Sequence, residues 1–105
     1  MIESEYQQQI IDLAHLYNWR VAHFRTVRVQ RANGSVYYAT ALAADGAGFP
    51  DLVLVRERVI YAEIKTNRGV LSEEQKIWRD MLLAAGEEWY VWKPRDWDNV
   101  MEVLK

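Results

Sequence analysis

GFPDLVLVRERVIYAEIK, residues 48–65, is the stretch of sequence that decides the fold. Its two apolar runs, LVLV and VIYAEI, flank a charged break at residues 56–58, which is typical of a β-hairpin. Three ionisable residues do not fit a plain hairpin, because Asp51 precedes the first run and Glu63 and Lys65 lie at the end of the second. Burying an unpaired charge is costly, so these charges need a reason. A divalent metal ion with a lysine beside it would supply that reason.

The pairing of the two strands decides whether Asp51 and Glu63 can meet. Side chains alternate between the faces of a strand, so a one-residue slip moves a side chain to the other face. A two-residue turn would direct the two carboxylates to opposite faces. An odd turn centred on Glu57 pairs Val53 with Tyr61 and sets the two carboxylates opposite each other. We therefore predict an odd turn or a bulge in this hairpin.

In that register the hairpin offers oxygen ligands to a divalent cation. The ligands are the carboxylates of Asp51 and Glu63 and the backbone carbonyl of Ile64. Mg²⁺ and Mn²⁺ favour hard oxygen donors and retain several waters. Lys65, next to the metal, could orient or deprotonate an attacking water, or stabilise charge in the transition state of phosphodiester hydrolysis.

The composition predicts one folded intracellular domain that spans residues 1–105. Half of the residues are hydrophobic, and there are only 2 Pro and 5 Gly, which is typical of a globule and not of a disordered chain. The absence of Cys excludes a disulfide framework and a thiolate metal site. No stretch approaches the roughly 20 apolar residues of a membrane span. The N-terminus lacks the pattern of a secretory signal, so we expect a cytoplasmic protein.

Positive charge is concentrated in one part of the chain. The formal net charge is −2, yet residues 13–44 contain no Asp or Glu. Such an asymmetry is typical of a phosphate-facing surface. The alternative is a solvated strand edge whose arginines discourage aggregation. The candidate nucleic-acid contacts in this stretch are Arg20, His23, Arg25, Arg28 and Arg31.

The first half of the chain predicts one helix and a pair of strands before the hairpin. Residues 3–17 have helical periodicity, with Tyr6 and Ile10 in the apolar stripe. Glu3 projects close to the centre of that stripe and would face inward. A favourable interaction with the helix N-terminus is the alternative. Residues 19–29 and 35–42 are predicted strands, joined by a two-residue turn at Asn33-Gly34.

The second half predicts a helix over 72–85, a strand over 88–92 and a short helix over 97–104. Ser72 with Gln75 forms a capping-box pattern at the start of the first of these helices. Gln75 shares a helix face with Trp78, so it could point toward the sheet instead of only capping. The predicted order is α-β-β-β-β-α-β-α, a mixed α/β fold.

These motifs together resemble a known nuclease family. Pro50-Asp51 followed by Glu63-Ile64-Lys65 resembles the PD-(D/E)xK nuclease signature. The helix start LSxxQxxW (Leu71, Ser72, Gln75, Trp78) and the strand VWKP narrow the likeness to the virus-type replication-repair nuclease (VRR-NUC) domain. The resemblance covers nearly the whole chain, from about Glu3 to about Leu104.

The resemblance implies a restriction-endonuclease-like core, with a mixed central β-sheet flanked by helices. It also implies a Mg²⁺-dependent endonuclease that cuts branched DNA such as Holliday junctions. The resemblance further implies that the protein forms a homodimer and is of phage or prophage type. The family's functional residues fall on Glu3, Asp51, Glu63, Lys65 and Gln75. Glu3 would complete the metal shell directly or through a water, and Gln75 would position the attacking water. The alternatives are a nicking or restriction-like nuclease on duplex DNA, and a catalytically silent DNA-binding module.

Overall fold

A mixed four-stranded sheet with helices on both faces organises the fold. The computed structural model describes residues 1–24, 27–39 and 43–105, and of residues 27, 28, 38 and 39 the backbone alone. The main sheet has the order β1-β4-β5-β6, and β2 and β3 form a separate two-stranded sheet. No helix within these described ranges is long and apolar enough to cross a membrane. In chain order the elements are α1 (Glu3–Leu16), β1 (Arg20–His23), β2 (Val27–Gln30), β3 (Val36–Ala39), β4 (Leu52–Val55), β5 (Val59–Ile64), α2 (Glu73–Ala84), β6 (Glu88–Trp92), a 3₁₀ turn (Pro94–Asp96) and α3 (Trp97–Leu104).

One face of the sheet carries the hydrophobic core. Alternate residues of β4 and β5 point to this face, as the pleat of a strand requires. Helices α1 and α3 cover it, so the apolar stripe predicted for the first helix is confirmed at its buried positions. The fully buried core residues on these elements are Tyr6, Ile10, Ala14, Leu52, Leu54, Ile60, Ala62, Ile64, Val100 and Leu104.

The β4–β5 hairpin has the predicted odd turn. Val55 pairs with Val59, and Val53 pairs with Tyr61. The N–H of Arg56 donates to the carbonyl of Arg58 at 3.1 Å, which leaves the single residue 57 at the tip. The register on which the proposed metal ligands depend is therefore confirmed.

The single strand predicted over residues 19–29 is wrong, because β1 and β2 pair with different partners. His23 of β1 lies opposite Leu52 of β4 in the main sheet. The N–H of Phe24 donates to the carbonyl of Asp51 at 3.1 Å, the last bond of this ladder among the described residues, and residues 25 and 26 of the predicted strand lie outside them. Val27 of β2 instead pairs with Ala39 of β3. Among the described residues, five strands therefore precede α2, one more than predicted.

The connection between β2 and β3 also differs from the prediction of a two-residue turn. Gln30 pairs with Val36, and the N–H of Arg31 donates to the carbonyl of Ser35 at 2.8 Å. Three residues, 32–34, are left in the loop, and Gly34 at its end has φ +87°. A three-residue hairpin loop that ends in a left-handed residue is the next commonest kind, and glycine suits that position. Residues 40–42 of the predicted strand 35–42 lie outside the described residues.

The tip of the hairpin anchors the ends of two helices. The Arg56 guanidinium donates to the carbonyl of Tyr17 at 3.0 Å, just after α1. The Arg58 guanidinium donates to the carbonyl of Val103 at 2.8 Å, in the last turn of α3. Both guanidinium groups lie over the ring of Trp19, at 4.5 and 5.2 Å from its centroid. Carbonyls at helix C-termini lack intrahelical donors, so these arginines satisfy groups that would otherwise need water.

Candidate active site

A carboxylate pair lies at the open end of the hairpin, away from its tip. The Oδ2 atom of Asp51 accepts the backbone N–H of Ile64 at 2.8 Å, which fixes this side chain against β5. Glu63 is 3% exposed and is the one buried charged side chain in the described part of the chain. Its Oε1 atom accepts a hydrogen bond from Nε2 of Gln75 at 2.8 Å. The structure thus brings together the two acids that the sequence pairs.

The pKa of the Glu63 carboxyl reflects this crowding. Burial is the largest cause, and the neighbouring charge of Asp51 adds to it, so that the pKa is raised from 4.5 to about 9. The ammonium of Lys65 opposes the rise but is outweighed. Two carboxylates that share a site hold on to a proton unless a cation replaces it. The pair therefore has the electrostatics of a cation site.

Lys65 lies beside the pair at the end of β5. Its Nζ atom is 4.0 Å from Oε1 of Glu63, and its side chain is 20% exposed. Gly69 packs against the stem of this lysine. A Cβ at Gly69 would lie 3.1 Å from Cβ and 3.2 Å from Cδ of Lys65. The absence of a side chain at residue 69 therefore lets the following loop hold the ammonium near the carboxylates.

The backbone carbonyl of Ile64 is directed to the same place. The N–H of Lys65 donates to the carbonyl of Trp92 at 3.1 Å, on the β6 side of β5. Successive residues of a strand direct their backbone groups to opposite sides, and the N–H and C=O of one residue point the same way. The N–H of Ile64 indeed meets Asp51 on the β4 side. Its carbonyl oxygen therefore faces that side as well, as the predicted ligand set requires.

Glu3 lies within electrostatic reach of the pair, on the first turn of α1. Partial burial, and then the charge of Asp51, raise the pKa of its carboxyl above 4.5. Its own charge in turn raises the pKa of Glu63. Across residues 1–24, 27–39 and 43–105, however, no group of three or more Asp, Glu, His or Cys side chains is arranged to hold a metal ion.

Gln75 connects α2 to the pair and caps the helix at the same time. Its Oε1 atom accepts the N–H of Ser72 at 2.8 Å, and its own N–H donates to Oγ of Ser72 at 3.2 Å. The capping box uses the amide oxygen, so the amide NH₂ group must face Glu63. The two roles predicted as alternatives for Gln75 are both present.

The loop before the hairpin holds the start of α2 over the site. The indole N–H of Trp78 donates to the carbonyls of Asp45 and Ala47 at 3.0 and 3.1 Å. The Phe49 ring meets the Trp78 ring edge-on, with centroids 4.9 Å apart. Gly48 has φ +81°, and a Cβ there would lie 2.5 Å from the backbone carbon of residue 74, so only glycine fits. In the LSxxQxxW pattern, Ser72 thus caps α2, Gln75 contacts Glu63, and Trp78 anchors the helix to the loop before the hairpin.

The predicted nucleic-acid contacts do not form one group at the site. Arg20 pairs with Val55 at the tip end of the hairpin, whereas His23 pairs with Leu52, next to Asp51. The Arg31 guanidinium lies over the Tyr37 ring in the separate β2–β3 sheet, 4.1 Å from its centroid. Arg25 and the side chain of Arg28 lie outside the described residues.

Comparison with known proteins identifies a family whose model spans this site. A protein-family model, described as the VRR-NUC domain, matches residues 2–95. The matched span runs from α1 to the turn after β6 and includes Glu3, Asp51, Glu63, Lys65 and Gln75. No curated protein and no solved structure gave a significant match to the chain.

Proposed function

The chain belongs to the VRR-NUC domain family, a family of nucleases, and we propose that it is a metal-dependent endonuclease that hydrolyses phosphodiester bonds in branched DNA. One observation carries the proposal. Asp51 and Glu63 converge at the open end of the hairpin, and Lys65 lies 4.0 Å from the buried glutamate. Such a cluster is unfavourable on its own and becomes favourable when a cation and a phosphate occupy the site.

The donor set suits Mg²⁺ or Mn²⁺. Asp51, Glu63 and the Ile64 carbonyl would supply three oxygen ligands, and Mg²⁺ is usually held by one or two carboxylates while retaining several waters. The two close carboxylates of Asp51 and Glu63 are therefore sufficient to hold Mg²⁺. We place Glu3 in the outer shell, acting through a water, because it does not join the pair in a group of three. When bound, the cation supplies Lewis-acid polarisation of the scissile phosphate and a lowered pKa of the attacking water.

The side chains around the pair have distinct roles in this proposal. The Lys65 ammonium stabilises negative charge on the phosphoryl oxygens, or orients the water that attacks. Gln75 holds the carboxylate of Glu63 in place, because its amide group is itself fixed by Ser72. Such outer partners orient the groups that bind a metal. Positioning of the attacking water by Gln75, predicted from the sequence, is secondary to that contact.

A homodimer would place two such sites on a branched DNA. The outer side of α2 supports an interface of this kind, because Ile77 and Met81 are exposed there in a shallow apolar groove. Exposed apolar patches mark interaction surfaces. Light scattering would give the mass in solution, and Met81→Lys would shift a dimer to the monomer. A monomeric wild-type protein would contradict this part of the proposal.

The direct test is a cleavage assay on three labelled substrates: a four-way junction, a flap and a linear duplex. We expect cleavage in Mg²⁺ or Mn²⁺ and none in EDTA, with the junction cut in preference to the duplex. Equal cutting of all three substrates would favour the nicking or restriction-like alternative. Binding without any cleavage would favour the catalytically silent module.

A further inference from the structure

Several cations in the described part of the chain have no acidic partner within ion-pair distance. In the part of the chain whose side chains are described, most Lys and Arg residues form ion pairs with neighbouring carboxylates. Those outside any such pair are Arg20, Arg31, Arg68, Lys93 and Arg95. Three of them, at positions 68, 93 and 95, lie outside the stretch that the sequence marks as basic.

These three cations lie on two loops that meet at one edge of the main sheet. Strands β5 and β6 are parallel, so the loops that follow them leave from the same edge. The backbone N–H of Arg95 in the second loop donates to Oδ1 of Asn67 in the first, at 3.1 Å. Lys93 shares a shallow surface groove with Val70 and Lys76. The two loops therefore present one continuous surface.

That surface adjoins the carboxylate pair. Glu63 lies two residues before the first of these loops, and the N–H of Lys65 donates to the carbonyl of Trp92, directly before the second. The backbone of the second loop is held in place on both sides of Lys93. Its carbonyl accepts the Tyr6 hydroxyl at 2.6 Å, and its N–H donates to Asp96 at 2.9 Å.

We propose that Arg68, Lys93 and Arg95 bind the phosphate backbone of the DNA strand next to the scissile bond. This inference rests on the proposed nuclease function and names the surface that would bring substrate to its site. Phosphates are repelled by the acids at this edge, and cations beside them would offset that repulsion. A polyanion bound across the two loops would also offset the positive charge that these three residues add to this edge.

The opposite end of the sheet provides a matched control. Arg58 lies at the hairpin tip, where it donates to the carbonyl of Val103 at 2.8 Å, and the carbonyl of the exposed Lys105 accepts a hydrogen bond from Arg56 at that tip. The double variant Arg58→Ala/Lys105→Ala therefore removes the same charge as Arg68→Ala/Arg95→Ala, but at the opposite end of the sheet from the site. Neither pair includes a residue of the proposed metal site.

The experiment measures the affinity for a labelled four-way junction and a labelled duplex, in EDTA, over a range of salt concentrations. Each phosphate contact contributes about 0.9 to the slope of log affinity against log salt on duplex DNA. We expect Arg68→Ala/Arg95→Ala to reduce the magnitude of that negative slope by about 2, so that binding depends less on salt, and to weaken binding about tenfold. The control double variant should keep the wild-type slope.

The possible outcomes separate this inference from the function on which it rests. If wild-type protein cleaves none of the substrates in Mg²⁺, the proposed function is wrong. If wild-type protein cleaves DNA but the Arg68/Arg95 variant keeps its salt slope, the surface is wrong and the function stands. If the salt dependence weakens equally in both double variants, DNA affinity depends on the net charge of the protein and not on the cations at this edge. That outcome also overturns the inference.

Discussion

The β4–β5 hairpin carries a glutamate at each end, and the two occupy opposite electrostatic environments. Glu57 at the tip is exposed, and its hydrogen bond with Arg56 is the main cause that lowers its pKa to about 2. Glu63 at the open end is buried beside Asp51, and its pKa is raised to about 9. The same hairpin therefore stabilises the charge of one carboxylate and opposes the charge of the other.

The difference separates structural from functional charges in this protein. At the tip, the cations pair with acids and satisfy helix carbonyls, so the charges there support the fold. At the open end, burial and the neighbouring charge of Asp51 oppose the negative charge of Glu63 and raise its pKa. Residues that oppose the stability of a fold are characteristic of functional sites. On this account, changes at the tip should affect stability, and changes at the open end should affect activity.

The largest expected effect is the loss of cleavage in Asp51→Asn. The asparagine can still accept the N–H of Ile64, so the fold should be retained while the ligand charge is lost. We expect cleavage to fall by about 10²- to 10³-fold or more, as is typical when a group that stabilises transition-state charge is removed. The measurement is the single-turnover cleavage rate in Mg²⁺.

Glu57→Gln is the control for this change, because it removes one carboxylate charge at the other end of the same hairpin. It should cleave at the wild-type rate. An Asp51→Asn protein that is folded by circular dichroism and cleaves normally would show that the open end is not the active site.

Replacing Gln75 should have the next largest effect. Gln75→Ala removes the hydrogen bond to Glu63, and loss of a residue that orients a metal ligand typically costs 10- to 100-fold in metal affinity or activity. We expect the Mg²⁺ concentration for half-maximal activity to rise by about that factor. Mn²⁺ binding, followed by electron paramagnetic resonance, should weaken in parallel.

Ser72→Ala tests whether this effect arises only from the capping box. It removes the cap hydroxyl but leaves its own backbone N–H to hold the Gln75 amide. It should lower stability by about 1 kcal/mol and leave Mn²⁺ affinity unchanged. If Ser72→Ala and Gln75→Ala weaken Mn²⁺ binding equally, the role of Gln75 at the site is that of a cap.

The smallest expected effect on cleavage is at the hairpin tip. Arg58 pairs with Glu88 at 2.6 Å and donates to the carbonyl of Val103. Arg58→Ala should therefore lower the free energy of unfolding by about 1–2 kcal/mol, measured by urea denaturation. Cleavage at 25 °C should stay at the wild-type rate. A variant of wild-type stability but reduced cleavage would contradict the division between the two ends.

Much of this division can be predicted from the sequence, because it depends on short-range patterns. The alternation of LVLV and VIYAEI, with one residue at the tip, predicts that Asp51 meets Glu63. The spacing of Ser72 and Gln75 predicts a cap, and the helix face that Gln75 shares with Trp78 predicts that it points toward the sheet. These are consequences of pleat and helix geometry within about 15 residues of chain.

The features that could not be predicted depend on pairing between distant segments. Residues 19–29 are predicted as one strand, but residues 20–23 pair with β4 and residues 27–30 pair with β3, in two different sheets. Likewise, no local pattern places Asn67 against the backbone of Arg95, because the parallel pairing of β5 with β6 brings their loops together. The arginine-rich stretch is conspicuous in sequence, and pairing with the distant strand β4 decides that its Arg20 lies beside Val55, at the tip end of the hairpin.

Thermal unfolding of wild-type protein and Glu63→Gln, in EDTA and in Mg²⁺, tests the central claim most directly. A folded-state pKa raised from 4.5 to about 9 means that the folded protein binds more protons than the unfolded chain between those pH values. The stability of the metal-free protein should therefore fall as the pH rises through this window, and Glu63→Gln should lack that contribution. We predict that at about pH 8 in EDTA the Glu63→Gln protein is the more stable, and that Mg²⁺ stabilises only the wild type. A Glu63→Gln protein that is less stable in EDTA and equally stabilised by Mg²⁺ would contradict the account.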